Sequence, residues 1–259
     1  MELRGKVAVV TGGAHGIGAE LCRRFAKEGA RGVVVADLDE AGAKAVAGEI
    51  GGVGIKCDVS LELDVVRVVK EAERNYGLVD LMVSNAGILV MDETHAASAS
   101  NEGWERIWKI NVMAHIYAAR AVLPGMIARH DGYILNTASA AGLLSQIGSA
   151  PYAVTKHAAV AFAESLAITH GDDGVKVSVL CPQAVRTNMT AGTENGGVAG
   201  VDGMIEPSVV ADAVIEGLRE ERFLILPHPE VLSYMQRKSS DYDRWIGGMR
   251  RLRRKFLTT

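Results

Sequence analysis

Val7-Ala8-Val9-Val10-Thr11-Gly12-Gly13-Ala14-His15-Gly16-Ile17-Gly18 decides the fold. The apolar run that follows Lys6 has no polar alternation. A strand covered on both faces looks like this, whereas a half-exposed strand alternates. Glycines then interrupt it, and an amphipathic helical stretch runs on from Gly16 to Gly29. Gly12 permits a tight turn, and Gly16 and Gly18 let backbone come close to a ligand. A helix opening here presents its free N–H groups to an anion. The stretch therefore predicts strand, phosphate-seating turn and helix, the first part of a βαβ unit.

The pattern recurs along the chain. Runs at 32–37, 53–57, 80–84, 132–138, 175–181 and 223–226 read as further strands, with helices at 39–50, 61–76, 102–129 and 149–170. Val65, Val68, Val69 and Ala72 show the helical steps of three and four. Alternating strand and helix with right-handed crossovers predicts an α/β fold, a Rossmann-type doubly wound parallel sheet in three α/β/α layers. Without repeats or a Pro-rich linker, residues 1–259 are expected to form a single domain. Residues 188–205, rich in Gly, Thr and Asn, are a plain surface loop or a lid over a site. Residues 230–256 are expected to be a C-terminal helical extension ending in Arg250, Arg251, Arg253, Arg254 and Lys255. Those cations suit the dipole of a solvated helix end, or attach to an acidic partner or membrane surface.

Composition narrows the function classes. A chain of 259 residues with 48% hydrophobic and 23% charged residues can bury a sizeable core. A formal net charge of −3 argues against broad nucleic-acid binding. No uninterrupted apolar stretch reaches the length of an integral membrane segment, and the N-terminus lacks a signal-peptide layout. Cys22, Cys57 and Cys181 lie far apart in apolar segments, as buried free thiols would, so a reducing, cytoplasmic location is expected. The seven His show no metal-ligand spacing, and no metal is expected.

The spacing Gly12-x-x-x-Gly16-x-Gly18 differs from the general Gly-x-Gly-x-x-Gly dinucleotide motif and is more specific. Asp37 closes the second strand about 20 residues on, where an acid would accept hydrogen bonds from the adenosine ribose hydroxyls. A carboxylate there repels a 2′-phosphate, so NAD is expected rather than NADP. A helix N-cap is the other use for an acid at this point, and Asp39 could serve as that. His15 is the one possible phosphate partner in the turn.

Farther on, Pro151-Tyr152-Ala153-Val154-Thr155-Lys156 puts Tyr152 and Lys156 one helical turn apart on a shared face. A tyrosine with a pKa of about 10 is a poor acid–base catalyst near neutrality, and a neighbouring ammonium favours its phenolate. Ser139 follows a strand at the carboxyl edge where open sheets bind ligands, and its hydroxyl could hold a substrate oxygen. Taken alone, Ser139 could equally be a cap or turn residue.

In the order and spacing of these features the chain resembles the short-chain dehydrogenase/reductase family, in its compact single-domain form, over residues 4–227. The features are the turn from Thr11 to Gly18, Asp58-Val59, Asn85-Ala86-Gly87, Asn111, Ser139, and Tyr152 with Lys156. The resemblance implies Tyr152 as general acid/base, with Lys156 on the nicotinamide ribose and lowering the Tyr152 pKa. It implies Ser139 orienting the reacting oxygen and Asn111 holding a proton-relaying water. Gly12, Gly16, Ile17 and Gly18 would take the cofactor phosphates, Asp58 and Val59 the adenine, Asn85, Ala86 and Gly87 the adenosine side, and Thr187 the carboxamide. Two residues depart from the family pattern: Ser84 where a first Asn is common, and Gln183 where Gly is usual. Gln183 would crowd the nicotinamide or enter the substrate pocket. The 230–256 extension replaces the family's short glycine-rich tail.

The expected activity is NAD-dependent hydride transfer between a nicotinamide cofactor and a small-molecule secondary alcohol or ketone. Ile88, Leu89, Val90, Met91, Leu143, Leu144, Met189 and Met204 are candidate pocket residues, mostly apolar, which suggests a bulky lipophilic or cyclic substrate. A carbonyl or 3-oxoacyl reductase is the alternative, and a non-catalytic dinucleotide sensor a third reading. Small residues in 149–170 and too many apolar faces on 102–129 predict a homodimer or homotetramer.

Overall fold

The computed structural model describes residues 1–92 and 94–257. Seven parallel strands form one sheet: β1 (Val7–Thr11), β2 (Gly32–Asp37), β3 (Val53–Lys56), β4 (Leu81–Ser84), β5 (Gly132–Thr137), β6 (Val175–Leu180) and β7 (Leu224–Ile225). Their order is β3-β2-β1-β4-β5-β6-β7. The winding direction reverses between β1 and β4, so a crevice opens beyond their carboxyl ends, where doubly wound sheets bind ligands.

Successive residues of a strand feed opposite layers. Val9, Met82 and Ile134 enter one core with the inner faces of α3 (Glu62–Tyr76), α5 (Ala114–Ala128) and α6 (Ala150–His170). Their neighbours Val10, Val83 and Leu135 enter the other, against α1 (Gly16–Lys27), α2 (Glu40–Ile50) and α7 (Pro207–Arg219). All of these strand side chains are inaccessible to water. Each such residue contributes about 1.5–3 kcal/mol by its burial. The unbroken Val/Ile/Leu runs of the sequence thus report two covered faces. The three cysteines are free and buried in these cores.

Three elements differ from the sequence expectation. The 102–129 segment is not one regular helix but α4 (Asn101–Trp108), a π-helical turn (Lys109–Met113) and α5. The wide turn carries Asn111, and side-chain bonds described below hold it there. The helix α7 was absent from the expected elements, although Val210, Ala211, Val214, Ile215 and Leu218 repeat at helical spacing and are buried. The 230–256 extension is two helices, α8 (Glu230–Ser240) and α9 (Tyr242–Leu257), with Asp241 in an extended conformation between them.

Asn101–Ala128 is long and apolar enough to cross a membrane, and 44% of its most apolar window is buried inside the fold. Its inward residues, Ala114, Ala118 and Val122, belong to the sheet-facing core. Among the described residues no other helix meets that test.

Candidate active site

At the carboxyl edge the chain turns sharply out of β1. Gly12 has φ +64°, and a Cβ there would stand 2.9 Å from the Ala86 Cα. Gly18 is tighter, since its Cβ would lie 2.0 Å from the Gly12 carbonyl oxygen. Only glycine allows α1 to start this close to the turn. His15 sits at the N-cap of α1 without a side-chain capping bond, and no acid occupies the first turn. The free N–H groups of that turn, with the positive end of the helix dipole, suit a phosphate. His15 Nε2 pairs with the Asp39 carboxylate at 2.9 Å rather than standing alone as a phosphate partner.

Asn85 braces the opposite wall. Its Nδ2 donates to the Thr11 carbonyl at 3.0 Å, and its N–H to Thr11 Oγ1 at 3.0 Å. Asp37 accepts from the Ala14 N–H through Oδ2 and from the Asp39 N–H through Oδ1, both at 3.0 Å. Each oxygen can accept a further hydrogen bond, and Asp37 lines the cleft. Asp39 is the N-cap of α2, accepting from the Gly42 N–H. The capping use falls to Asp39, and Asp37 lines the cleft. The Asp58 carboxylate accepts from the Ser60 N–H and hydroxyl at 2.9 and 2.7 Å, which fixes the loop carrying Val59.

One cleft of about 350 Å³ is lined by every residue expected to touch the cofactor: Gly12, Gly16, Ile17, Gly18, Asp37, Asp58, Val59, Asn85, Ala86, Gly87, Tyr152, Lys156 and Thr187. Ser139 and Gln183 line it too. Glycines that a Cβ would overfill, a helix N-terminus and a carboxylate with free lone pairs form a donor set that fits a dinucleotide. The chemistry-bearing side chains lie at the other end.

Ser149 caps α6 by accepting from the Tyr152 N–H at 3.3 Å, with Pro151 in the first turn. This fixes where Tyr152 and Lys156 emerge. Lys156 Nζ lies 5.6 Å from the centre of the Tyr152 ring and donates to the Thr137 carbonyl at 2.9 Å. Burial lowers the Lys156 pKa to about 8. Tyr152 is partly buried and lines the cleft. Desolvation raises its pKa, with hydrogen bonding to Ser139 opposing. The expected depression of the Tyr152 pKa by Lys156 is therefore corrected: desolvation wins here, and the ammonium is directed at Thr137.

Asn111 stands behind the cleft rather than in its wall. Its Oδ1 accepts from the Ile88 N–H, its Nδ2 donates to the Ile88 carbonyl, both at 2.9 Å, and Nδ2 also reaches Thr155 Oγ1 at 3.2 Å. It ties the π-turn to the chain after β4 and to α6. Gly87 fills the space between, since a Cβ there would lie 3.3 Å from Lys156 Nζ and 3.4 Å from Asn111 Oδ1.

A second cavity of about 700 Å³ adjoins the first, and Ser139 and Gln183 line both. Gln183 does not have a positive φ, so its backbone has no need of glycine. Its Oε1 is buried without a hydrogen-bond partner. Of the apolar candidates, Leu144 lines the larger cavity and Ile88 and Met189 the cofactor cleft. Leu89, Val90, Met91, Leu143 and Met204 line neither, which corrects that part of the expectation. The sequence reading missed the wall supplied by α8 and α9, including Tyr234, Trp245, Met249 and Leu252. The helical spacing of the last three was the available signal.

Comparison with known proteins agrees with this geometry. A family described as short chain dehydrogenase matches residues 6–196. 1-deoxy-11-beta-hydroxypentalenate dehydrogenase of Streptomyces exfoliatus is 35% identical over 236 residues, 89% of this chain and 86% of its own. Meso-2,3-butanediol dehydrogenase of Serratia marcescens is 33% identical, covering 74% of this chain and 76% of its own. A short-chain dehydrogenase/reductase from Burkholderia phymatum, solved in complex with NAD, superposes with a TM-score of 0.85 at 28% identity, covering 94% of this chain and 96% of that one. These likenesses support a nicotinamide cofactor. With the fold, the turn and the match over most of its length, this chain belongs to the short-chain dehydrogenase/reductase family of oxidoreductases.

Proposed function

We propose that the protein is an NAD-dependent dehydrogenase that oxidises a bulky lipophilic secondary alcohol. One observation carries the reading: Ser139, beside Tyr152, lines both the dinucleotide cleft and the larger, mostly apolar-walled cavity. A nicotinamide cofactor held in the cleft would supply the hydride acceptor for the carbinol carbon. The chain's own residues place the alcohol and move the proton. Ser139 Oγ holds the carbinol oxygen, and Tyr152 takes its proton as the carbonyl forms. Lys156 holds the ribose and adds positive charge beside the developing phenolate. Asn111 keeps the Lys156 surroundings in place. Residues 188–205 act as a lid, since Met189 lines the cleft and Val201 the larger cavity. A carbonyl or 3-oxoacyl reductase remains a second reading. It is favoured by the likeness to 3-ketoacyl-(acyl-carrier-protein) reductase of Brucella melitensis complexed with NADH, at TM-score 0.78 and 30% identity.

Asp37 sets the cofactor preference in this reading. Its oxygens are aimed by two backbone N–H groups and meet ribose hydroxyls as acceptors, while a 2′-phosphate meets like charge. The wild type should use NAD in preference to NADP. Asp37→Ala should narrow the ratio of kcat/KM values by at least ~10-fold, about 1.4 kcal/mol. An NADP-preferring wild type would remove Asp37 from the ribose.

Assembly as a homodimer or homotetramer belongs to the same proposal. On α6, Val154 and Ile168 are exposed apolar side chains, 47% and 84% accessible, on a helix rich in alanine. A two-fold pairing of α5 and α6 would cover them. Sedimentation at micromolar concentration should show at least a dimer. An active monomer would return these faces to solvent.

A further inference from the structure

The larger cavity has a charged side. Arg237 of α8 and Arg244 and Arg251 of α9 line it, opposite in character to Leu144, Val198 and Trp245. Seven-residue spacing puts Arg244 and Arg251 on one face of α9, two helical turns apart. Arginines elsewhere are mostly tied to carboxylates, as Arg23 is to Glu49 and Arg186 to Glu206. Among the described residues none of these three has an acidic group within ion-pair distance. Two carboxylates that touch this wall are already engaged, and one of them, Asp241, lines the cavity too. The Asp241 carboxylate accepts from the Arg244 backbone N–H at 2.9 Å, and that of Asp202 from the Tyr234 hydroxyl at 2.7 Å.

The wall is fixed in place rather than loosely appended. Lys238 Nζ donates to the Leu143 carbonyl at 2.7 Å, and Trp245, Tyr234 and Met235 pack on Ala140, Leu144 and Val231. The Arg251 guanidinium lies along α9 beside Gly247 and Gly248, 3.7 Å from where a Cβ of either would stand. Among the described residues, the three guanidiniums around this cavity have no carboxylate partner in an ion pair. Guanidinium is the side chain that best meets carboxylate and phosphate oxygens.

We propose that Arg237, Arg244 and Arg251 form an anion-recognition wall, so that the substrate is a lipophilic alcohol bearing a carboxylate or phosphate group remote from the reacting carbinol. This deepens the alcohol-dehydrogenase reading and rests on it for the position of the carbinol at Ser139. The apolar lining holds the body of the molecule and the arginines hold its charged end. Recognition by fixed charge also selects against neutral alcohols of the same shape.

The probes are (ω−1)-hydroxy acids of eight to eighteen carbons, their methyl esters and their coenzyme A thioesters. Binding to the NAD-saturated enzyme is measured by calorimetry, and turnover by NADH absorbance. At the chain length that fits, an anionic form should bind at least ~10-fold tighter than the ester, the size of one good charged contact. Preference for the acid assigns a carboxylate, and preference for the thioester assigns the phosphates of a carrier. The preference should fall toward unity in the double variant Arg244→Met, Arg251→Met, and should survive Arg250→Met with Arg254→Met, whose side chains do not line the cavity. Equal binding of ester and anions overturns the proposal, as does equal loss in both double variants. Anion-selective binding without any NADH formed would keep the wall and reject the dehydrogenase reading.

Discussion

Tyr152→Phe is expected to lower turnover at least ~10²-fold, the range of a general acid–base group, while NADH binding stays close to wild type. The substitution keeps the ring, which packs at the head of α6, and removes only the hydroxyl beside Ser139. Alcohol oxidation needs that group deprotonated at the moment of reaction. Desolvation raises the pKa above the ordinary tyrosine value, so the base form is scarce at neutral pH and grows as pH rises. Oxidation should accelerate with pH through the neutral and mildly alkaline range. Carbonyl reduction, which uses the protonated form, should not show that rise. Lys156 limits the gain, because its ammonium is already half lost at about pH 8 and declines further above it. The wild-type oxidation profile should therefore climb and then level. The Phe variant should have no climb at all. Turnover near wild type in Tyr152→Phe, or an unchanged pH profile, would take the proton from Tyr152 and give it to another group.

Much of this site was legible because its residues follow from constraints that act locally. Strands of a covered parallel sheet are rich in Val, Ile and Leu, so β1 to β6 could be read within a residue or so of their ends. Gly12, Gly16 and Gly18 announce a backbone approach that no other residue permits. Tyr152 and Lys156 share a helix face by spacing alone. Other features depend on the tertiary arrangement, and no local pattern states them. The π-turn at Asn111 exists because its amide is bonded to Ile88 and Thr155, partners 23 and 44 residues away. The direction of the Tyr152 shift depends on how far the fold desolvates the side chain, not on how near Lys156 lies in sequence. The second cavity is built from the turn at Ala140–Gly142, the 188–205 segment and two C-terminal helices, which only folding brings together. The break at Asp241 aims α9 across that cavity, and a continuous helix through 230–256 would have pointed elsewhere. Basic residues in the last helix looked like a solvated end. Only the fold separates the arginines that line the cavity from those that do not.

Gly18→Ala should be the most damaging one-carbon change to the glycine turn. The added methyl would lie 2.0 Å from the Gly12 carbonyl oxygen and 2.7 Å from Asn85 Nδ2, far inside van der Waals contact. Neither neighbour can yield cheaply. The carbonyl is backbone, and the amide is held to Thr11 and to Gly12 itself. Relief therefore requires the first turn of α1 to move away from the glycine turn, and the N–H groups that would hold a pyrophosphate move with it. NADH affinity should fall at least ~10²-fold, and stability should drop by about 1–3 kcal/mol as in an overpacked core. The same substitution at Gly48, in the exposed middle of α2, provides the contrast. A Cβ there meets nothing within 4 Å, and alanine is the better helix former by up to ~1 kcal/mol. Gly48→Ala should leave NADH binding alone and raise the melting temperature slightly. Fluorescence titration with NADH and thermal melts of the two variants, side by side, separate cofactor seating from general tolerance of the fold. If Gly18→Ala bound NADH as wild type does, the cofactor phosphates would not rest on this turn, and the cleft would need another occupant.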